Sequence, residues 1–424
     1  MLGDPDRTGC PGSAGTSRGG APGGTSRAAG EQAVPPRAYQ ILDSLGDPPD
    51  PDLLEPHTRE LAPLFSRAFR ILHRTLEAYT AGTALALLLD LGWEARLREG
   101  TSLDALCAGQ PAQARFPLGW MLPFLAQEGL LAQREGCFFL EDAPPVDLQG
   151  LRALAASEAP GQGASFDLLD GVRSHIRPFF TEGRPGEELL FDLALFPLWL
   201  AYFRNDNLVY RPNNLFALLA LRDGLAHDSR ILELGAGVGS FARLLAPTAR
   251  EQGWLDRITE YRFTDVAPAF LRKAQRDLAA DTPGLPLAFQ SLDLNRPLDA
   301  QGILPASLDA IVGINVVHVA RNLEATLRDL RSRLKPGGRL VLGECLKPSL
   351  DRPIYLEFFF SFMSTFTSVE LDPRWRPVHG FLTPEVWADA LRHAGFQNLR
   401  WVPEIRPLMD HCPAFNAGAL SAEA

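Results

Sequence analysis

Alternating strand and helix patterns begin at Arg230 and constrain the fold of this chain more than any other feature. Short apolar runs that suit buried strands are separated by amphipathic stretches. These runs are residues 231–234, 261–264, 287–290, 308–314 and 339–343, and a helix at 383–395 and a strand at 399–403 complete the pattern. Repeated βαβ units build a parallel, doubly wound sheet with helices on both faces. We therefore predict an α/β fold with a Rossmann-like core over residues 229–424.

Three further regions precede this core in the chain of 424 residues, a length that suits about two or three domains. Residues 1–52 contain much glycine and no apolar periodicity, which predicts a disordered tail. Residues 53–149 carry helical patterns that end in a short hairpin, the outline of a winged helix. Residues 150–228 are helical and rich in aromatic side chains, as expected of a lid or linker.

A winged helix often binds DNA, but the charge of this chain argues against that use. Its 41 Lys and Arg side chains are outnumbered by 51 Asp and Glu side chains, which leaves a formal net charge of −10. Such a chain is repelled by phosphate backbones and anionic membrane surfaces. The candidate recognition helix offers only Arg115. We therefore expect no nucleic acid or membrane partner, and assign this region to packing, to homodimer formation or to covering an active site.

The cysteines and the N-terminal sequence bear on the cellular compartment. The five cysteines are widely spaced and include no C-x-x-C pair, so they suggest neither a disulfide framework nor a metal site. The N-terminus has no basic start followed by an apolar run, and no apolar stretch is long enough to span a bilayer. We therefore expect a cytoplasmic protein with no bound metal.

A glycine-rich turn follows the first predicted strand and indicates a ligand site. The run 231–239 reads Ile-Leu-Glu-Leu-Gly-Ala-Gly-Val-Gly, so a strand leads through Gly235, Gly237 and Gly239 into a helix. Bare backbone at a helix N-terminus lets a ligand approach closely. The spacing is G-x-G-x-G rather than the dinucleotide pattern G-x-G-x-x-G, and Glu233 would repel a pyrophosphate. Because Glu233 can accept from an ammonium group, the pattern favours S-adenosylmethionine (SAM).

Acidic side chains also follow the second and third predicted strands. Asp265 ends one strand, where a carboxylate can hold both ribose hydroxyls of the cofactor. Asp293 follows the next strand and can accept from the adenine amino group. Either acid alone could cap a helix, but three acids at the ends of three successive strands favour a shared ligand. We assign neighbouring residues to the same cofactor site: Val266, Leu294 and Asn315.

Residues 230–345 resemble the class I SAM-dependent methyltransferases. The run 261–270, Tyr-Arg-Phe-Thr-Asp-Val-Ala-Pro-Ala-Phe, is similar to the methyltransferase domains embedded in polyketide synthases. Further matches to that pattern are Asn-Val-Val-His at 315–318, Leu-Lys-Pro-Gly-Gly at 334–338, Glu344, Trp387 and Ala-Gly-Phe at 394–396. The resemblance extends more loosely upstream to about residue 165, and the winged-helix-like region is closer to stand-alone small-molecule O-methyltransferases. These motifs are specific for the superfamily but much less so for methylation of carbon or oxygen.

His318 is the one histidine of eight that falls just past the carboxyl end of a predicted strand. Imidazole titrates near neutral pH and so suits removal of a proton from an acceptor. Glu344 follows the next parallel strand, where its carboxylate can orient the imidazole and stabilise the cation that forms. The resemblance implies the same dyad of His and Glu in polyketide methyltransferases. The alternative is a loop histidine beside an unrelated capped glutamate.

The resulting hypothesis is an enzyme of polyketide or other natural-product biosynthesis that methylates the enolisable carbon of a β-ketoacyl-type acceptor. That acceptor would be a small molecule or an acyl group on a carrier protein, and Trp375, Arg376 and His379 are candidates to line its pocket. An O-methyltransferase acting on a hydroxyl group is the alternative, because the same dyad can deprotonate oxygen. A winged-helix regulator that binds SAM or a metabolite without turnover is more remote, since the dyad argues against it.

Overall fold

The structure is a computed structural model, and it describes residues 41–42, 45, 47–142, 146–412 and 414–424. Most of the predicted tail, residues 1–52, lies outside these ranges. Within its described part, the side chain of Ile41 is buried and a 3-10 turn spans Pro51–Leu54. The Arg70 guanidinium donates to the carbonyl oxygen of Leu45 at 3.0 Å. The described end of this segment therefore packs against the helix that contains Arg70.

The first half of the chain is mainly helical. Its longest helix begins after Ser66, whose hydroxyl accepts from the Phe69 N–H. A two-stranded antiparallel hairpin follows the fifth helix. The elements are α1 Thr58–Leu61, α2 Arg67–Asp90, α3 Glu94–Glu99, α4 Leu103–Cys107, α5 Arg115–Gln127, β1 Ala132–Arg134, β2 Cys137–Phe139, α6 Leu148–Glu158, α7 Ala164–His175, α8 Arg177–Thr181, α9 Gly186–Leu190, α10 Phe196–Tyr202 and α11 Arg211–Arg222. The assignments of 53–149 to a winged-helix-like domain and of 150–228 to a lid stay predictions.

The second half of the chain alternates strands and helices, as the sequence predicted. Its elements are β3 Ser229–Leu234, α12 Ser240–Glu251, β4 Ile258–Asp265, α13 Pro268–Asp281, β5 Leu287–Ser291, β6 Leu308–Ile314, α14 Leu323–Arg333, β7 Leu334–Cys345, α15 Glu357–Phe360, α16 Ser364–Thr367, α17 Pro384–His393, β8 Gln397–Val402, α18 Ile405–His411 and β9 Ala417–Glu423. Each predicted strand therefore overlaps an observed strand, and none extends more than about one residue beyond it.

Within the described residues, seven strands form one sheet in the order β5-β4-β3-β6-β7-β9-β8. The first five are parallel, and β9 pairs antiparallel with both β7 and β8. The strand order reverses at β3, so connections on either side of β3 run in opposite directions along the sheet. The carboxyl edge at such a switch point is where open α/β sheets bind ligands. The predicted α/β fold with a doubly wound core is confirmed.

The sequence did not predict β9. This strand reads Ala-Gly-Ala-Leu-Ser-Ala-Glu and lacks the β-branched and aromatic residues that favour strands. It nevertheless lies inside the sheet, between β7 and β8, and six of its seven residues are buried. Helix α11 packs directly against β9, and small side chains permit that close contact. Tertiary packing, rather than local propensity, therefore makes this segment a strand.

The described residues form two hydrophobic cores, and the second contains side chains from both halves of the chain. One core lies between the sheet and its helices. The other combines the N-terminal helices with a cluster of side chains from residues 354–366 and with Phe381. Across this second core, Trp120 Nε1 donates to Glu357 Oε2 at 3.1 Å, although the two residues are 237 positions apart. The N-terminal helices therefore cover the segment that connects β7 to α17.

No helix in the described ranges is long and apolar enough to cross a membrane. In the same part of the chain, no three His, Cys, Asp or Glu side chains are grouped closely enough to hold a metal ion. Cys107, Cys345 and Cys412 are free thiols.

Gly343, near the end of β7, should not tolerate a side chain because α11 crosses the sheet closely there. A Cβ atom at this position would lie 2.8 Å from the carbonyl oxygen of Asn213 and 3.1 Å from Ile314 Cδ1. We expect Gly343→Ala to lower the free energy of unfolding by about 1–3 kcal/mol, as measured by urea denaturation. Gly163→Ala is the matched control, because its Cβ would meet only Asp167 Oδ2, at 3.7 Å. Equal stability of the two variants would contradict this account of the packing.

Candidate active site

The glycine-rich turn connects β3 to α12 at the carboxyl edge of the sheet. Gly235, Gly237 and Gly239 have φ angles of 53°, 52° and 77°, a region that side chains other than glycine rarely adopt. A Cβ at Gly235 would lie 2.4 Å from Val316 Cγ2, so the turn also packs tightly against the segment after β6. A Cβ at Gly237 would meet only the Gly235 carbonyl oxygen, at 4.0 Å. The backbone at Gly237 therefore borders open space in which a ligand can lie.

Asp265 ends β4 beside this turn. Its side chain is only 6% exposed, and burial raises the pKa of its carboxyl group. Oδ2 accepts from the Gly237 N–H at 2.8 Å, and Oδ1 accepts from the Ala267 N–H at 2.7 Å. The carboxylate therefore ties the glycine turn to the start of α13 and is fixed where the sequence predicted a ribose ligand.

Glu233 lies on β3 and is more deeply buried than its predicted role suggested. The side chain is 2% exposed, and the Tyr261 hydroxyl donates to its Oε2 at 2.6 Å. Burial raises the pKa of the Glu233 carboxyl to about 8, and the nearby charge of Asp265 acts in the same direction. At neutral pH the carboxyl group is therefore mostly protonated, and an arriving cation would favour its ionised form.

The predicted adenine residues lie at the same edge. Asp293 follows β5, and its Oδ1 accepts from the Asn295 N–H at 2.9 Å. The Asp293 N–H in turn donates to Gln301 Oε1 at 2.8 Å, which fixes this loop. Val266 is 63% exposed directly after the buried Asp265, and Leu294 is half-buried. Apolar surface beside carboxylates fits the ribose and adenine of SAM, so these residues would hold the cofactor.

His318 and Glu344 are brought together by two adjacent parallel strands. Ile314 at the end of β6 pairs with Gly343 of β7, so the chain leaves both strands at the same level. His318 Nδ1 lies 2.7 Å from Glu344 Oε2, and the two side chains are 5% and 1% exposed. Glu344 Oε1 also accepts from the Val317 N–H at 3.2 Å. The glutamate therefore orients the imidazole and leaves its Nε2 for another partner.

Asn315 links the ends of β6 and β7. Its backbone has a φ of 48°, its N–H donates to the Gly343 carbonyl at 2.7 Å, and its Oδ1 accepts from the Cys345 N–H at 2.9 Å. The side-chain oxygen of Asn315, a residue that the sequence assigned to the cofactor site, is therefore occupied by the protein. Asn315 therefore holds the end of β7, which carries Glu344, beside the turn that contains His318.

A cavity of about 630 Å³ lies between the N-terminal helices and the segment 347–379, and the Phe366 ring separates it from His318. The ring of Phe366 links the two places, because its centroid is 5.8 Å from that of His318 and 6.1 Å from that of Phe116 in the cavity wall. His379 and Lys347 add polar groups to the wall. The apolar part of the wall includes Leu103, Ala112, Phe116, Trp120, Pro123, Leu350, Pro353, Leu371, Pro377 and Val378.

The three substrate candidates take different positions. His379 lines the cavity, and its ring packs edge-on against Phe116 at 5.6 Å. Arg376 is 2% exposed and forms no hydrogen bond through its guanidinium within the described residues. Trp375 does not line the cavity, contrary to expectation, because its ring stacks on His393 of α17 at 3.9 Å. A turn capped by Asp372 directs it there, since Asp372 Oδ1 accepts from the Trp375 N–H.

Sequence reasoning allowed the region that contains α5 to cover an active site, but it named no residue of α5 in the cavity wall. Residues of this helix lie more than two hundred positions before the segment they face, so no local pattern connects the two. One signal was present: α5 is apolar on almost every side, as its sequence Arg-Phe-Pro-Leu-Gly-Trp-Met-Leu-Pro-Phe-Leu-Ala-Gln shows. A helix of that kind packs against more than one partner.

Known proteins are similar to this chain in sequence and in fold. Residues 232–340 match a family model described as a methyltransferase domain. The chain is 33% identical to highly reducing polyketide synthase 2 of Gibberella zeae over 245 residues, which are 54% of this chain and 9% of that protein. It is 26% identical to polyketide synthase PksM of Bacillus subtilis, over 83% of this chain and 8% of that protein. The chain therefore spans a small part of the length of these relatives.

Among solved structures, the C-methyltransferase domain of the citrinin polyketide synthase has the same fold. The TM-score is 0.71 at 18% identity, and the match covers 91% of this chain and 97% of that domain. The fold, the glycine turn with its carboxylates and the matched methyltransferase model agree with one another. The chain therefore contains a methyltransferase domain and has the fold of the carbon methyltransferase domain of the citrinin polyketide synthase.

Proposed function

We propose that this chain methylates an enolisable carbon of a β-ketoacyl-type acceptor in polyketide or related natural-product biosynthesis, with His318 as the base. The observation that carries the proposal is the buried 2.7 Å contact between His318 Nδ1 and Glu344 Oε2. A carbon acceptor must lose an α-proton before it can attack a methyl group, so a supported base has a direct use there. The similarity to polyketide synthases supports this class of acceptor.

One set of residues holds the methyl donor, and a second set acts on the acceptor. SAM, when bound, supplies the electrophilic methyl group. The glycine turn, Asp265 and Glu233 hold the cofactor at the edge of β3 and β4. His318 Nε2 takes the proton from the acceptor, while Glu344 keeps Nδ1 protonated and stabilises the imidazolium cation. The dyad is buried, which excludes water and favours transfer to the acceptor.

The cavity between the N-terminal helices and the segment 347–379 suits an acyl chain. Its volume of about 630 Å³ lies within the range of about 300–1,000 Å³ common for small-molecule sites, and most of its wall is apolar. The Phe366 ring lies between this wall and His318, so the proposal places the acyl chain in the cavity with its reactive end passing Phe366 to reach the base. The acceptor reaches this place free or on a carrier protein, which would be the partner of the chain.

Hydrogen exchange tests the dyad and separates carbon from oxygen as the acceptor atom. With S-adenosylhomocysteine in place of SAM, the wild-type enzyme should exchange the α-hydrogen of a β-ketoacyl thioester with solvent deuterium, as followed by mass spectrometry. His318→Ala should abolish the exchange and leave SAM affinity unchanged. Glu344→Gln should slow it about 10²- to 10⁴-fold, because the base loses its orientation and its counter-charge.

His393→Ala is the matched control for the exchange experiment, because this histidine is partly exposed on α17 and should leave the rate unchanged. Full activity of His318→Ala would show that the dyad is not the base. If no β-keto thioester exchanges, but a hydroxyl acceptor is methylated in a reaction that depends on His318, the O-methyltransferase alternative replaces carbon methylation.

The proton on Glu233 should leave when SAM binds. The pKa of this carboxyl is raised to about 8 by burial, and the ammonium group of SAM favours the ionised form. Binding at pH 7 should therefore release nearly one proton, and affinity should rise with pH up to about 8 and then level off. Calorimetry in buffers of different ionisation enthalpy measures the release. Glu233→Gln should remove it, and zero release by the wild type would contradict this role.

Gly119 offers a test of the cavity as the acyl site. It lies on α5 in the cavity wall, and a Cβ there would meet only Leu103 Cδ2, at the ordinary contact distance of 3.5 Å. Gly119→Phe should therefore fold, fill part of the cavity and lower kcat/KM for long acyl chains about tenfold or more relative to short ones. Gly119→Ala is the control and should leave kcat/KM unchanged for both long and short acyl chains. Equal loss for all chain lengths would contradict the assignment.

A further inference from the structure

Arg376 is a buried cation whose guanidinium has no partner. The side chain is 2% exposed, and its Nε, Nη1 and Nη2 atoms form no hydrogen bond within the described residues. Its backbone, in contrast, is fixed: the N–H of Arg376 donates to the Asp372 carbonyl, and the Asp372 N–H donates back, both at 3.0 Å. Burying a charge without a partner costs several kcal/mol. Such a group is expected where a ligand supplies the missing negative charge.

Arg376 lies close in the sequence to one residue that lines the cavity and to another that packs against the dyad. Three residues further along, His379 lines the cavity, and five residues further, the Phe381 ring packs on the His318 ring at 4.8 Å. Burial lowers the pKa of Arg376 to about 10, and the charge of Glu344 partly opposes that shift. The guanidinium therefore stays positively charged at neutral pH. Its charge also helps to lower the pKa of His379, after burial, so it acts on the cavity wall as well.

The nearby carboxylate does not use this cation. Both oxygens of Glu344 are already occupied, Oε2 by the imidazole of His318 and Oε1 by the Val317 N–H. No ion pair within the described residues includes Arg376. The five N–H donors of its guanidinium therefore have no acceptor among the described residues, and an anionic oxygen of a ligand would supply one.

We propose that the Arg376 guanidinium binds the oxygen of the acceptor carbonyl and stabilises the negative charge that develops there as the α-proton leaves. This inference rests on the proposed carbon acceptor. His318 Nε2 takes the α-proton, the electrons of the C–H bond form the carbon–carbon double bond, and the carbonyl π electrons move to the oxygen beside Arg376. The enolate carbon then bonds to the methyl group as the bond from that group to sulfur breaks and leaves its electrons on sulfur. The imidazolium returns its proton to solvent.

The test measures deuterium exchange, SAM affinity and melting temperature for Arg376→Met, Arg376→Lys and the wild type. Removing a donor to a developing oxyanion typically costs on the order of 10²- to 10³-fold in rate, so Arg376→Met should lose about that much exchange. Arg376→Lys keeps the charge and should retain more of it. SAM affinity should not change, and Arg376→Met should melt no lower than the wild type, because an unpaired buried charge is removed. The control is Arg392→Met, an exposed arginine that should leave exchange unchanged.

Each contrary result overturns the inference. If Arg376→Met exchanges deuterium at the wild-type rate, the cation does not stabilise the enolate. A weaker affinity for SAM would assign Arg376 to the carboxylate of the cofactor, and a clearly lower melting temperature would reveal a structural partner. These outcomes differ from failure of the proposed function, in which the wild-type enzyme itself exchanges no β-keto thioester.

Discussion

The pairing of β6 with β7 is the constraint on which the site depends. A hydrogen bond of 2.7 Å between His318 and Glu344 forms only if the two strands end at the same level, and the pairing of Ile314 with Gly343 provides that register. Asn315 secures it by bonding to the backbone of Gly343 and Cys345. Because side chains alternate along a strand, a slip of one residue would turn Glu344 away from the imidazole.

Three ionisable groups near the carboxyl edge of the sheet are buried and have no ion pair within the described residues: Glu233, Asp265 and Arg376. Glu233 accepts a hydrogen bond from a tyrosine hydroxyl group, and Asp265 accepts from backbone N–H groups. The Arg376 guanidinium has no hydrogen-bond partner among the described residues. A folded protein tolerates such groups when a ligand completes them, since their burial otherwise costs stability. Their positions agree with a donor held near β3 and β4 and an acceptor held near the dyad.

The sheet and the cofactor edge could be predicted because they follow from local patterns: apolar strands, a glycine turn and acids at strand ends. The same reasoning brought His318 and Glu344 together, since parallel strands share an edge. It did not find β9, whose small residues become a strand only through packing under α11. The cavity wall in α5 was missed because it depends on contacts across the whole chain. Trp375 was misplaced because an Asp372 turn, rather than sequence proximity, directs its ring.

The position of β9 affects how the molecule loses function. β9 follows β7 and β8 in the chain but lies between them in the sheet, and Gly418 pairs opposite Glu344. Release of β9 would therefore free one side of the strand that carries the glutamate, while β3, β4 and β5 keep all their neighbours. Local opening of this kind precedes global unfolding in many proteins. If the proposed mechanism holds, an ageing or heat-stressed molecule would keep the strands of its cofactor site in place while His318 loses the carboxylate that orients it, so that the damaged enzyme would bind SAM without transferring the methyl group.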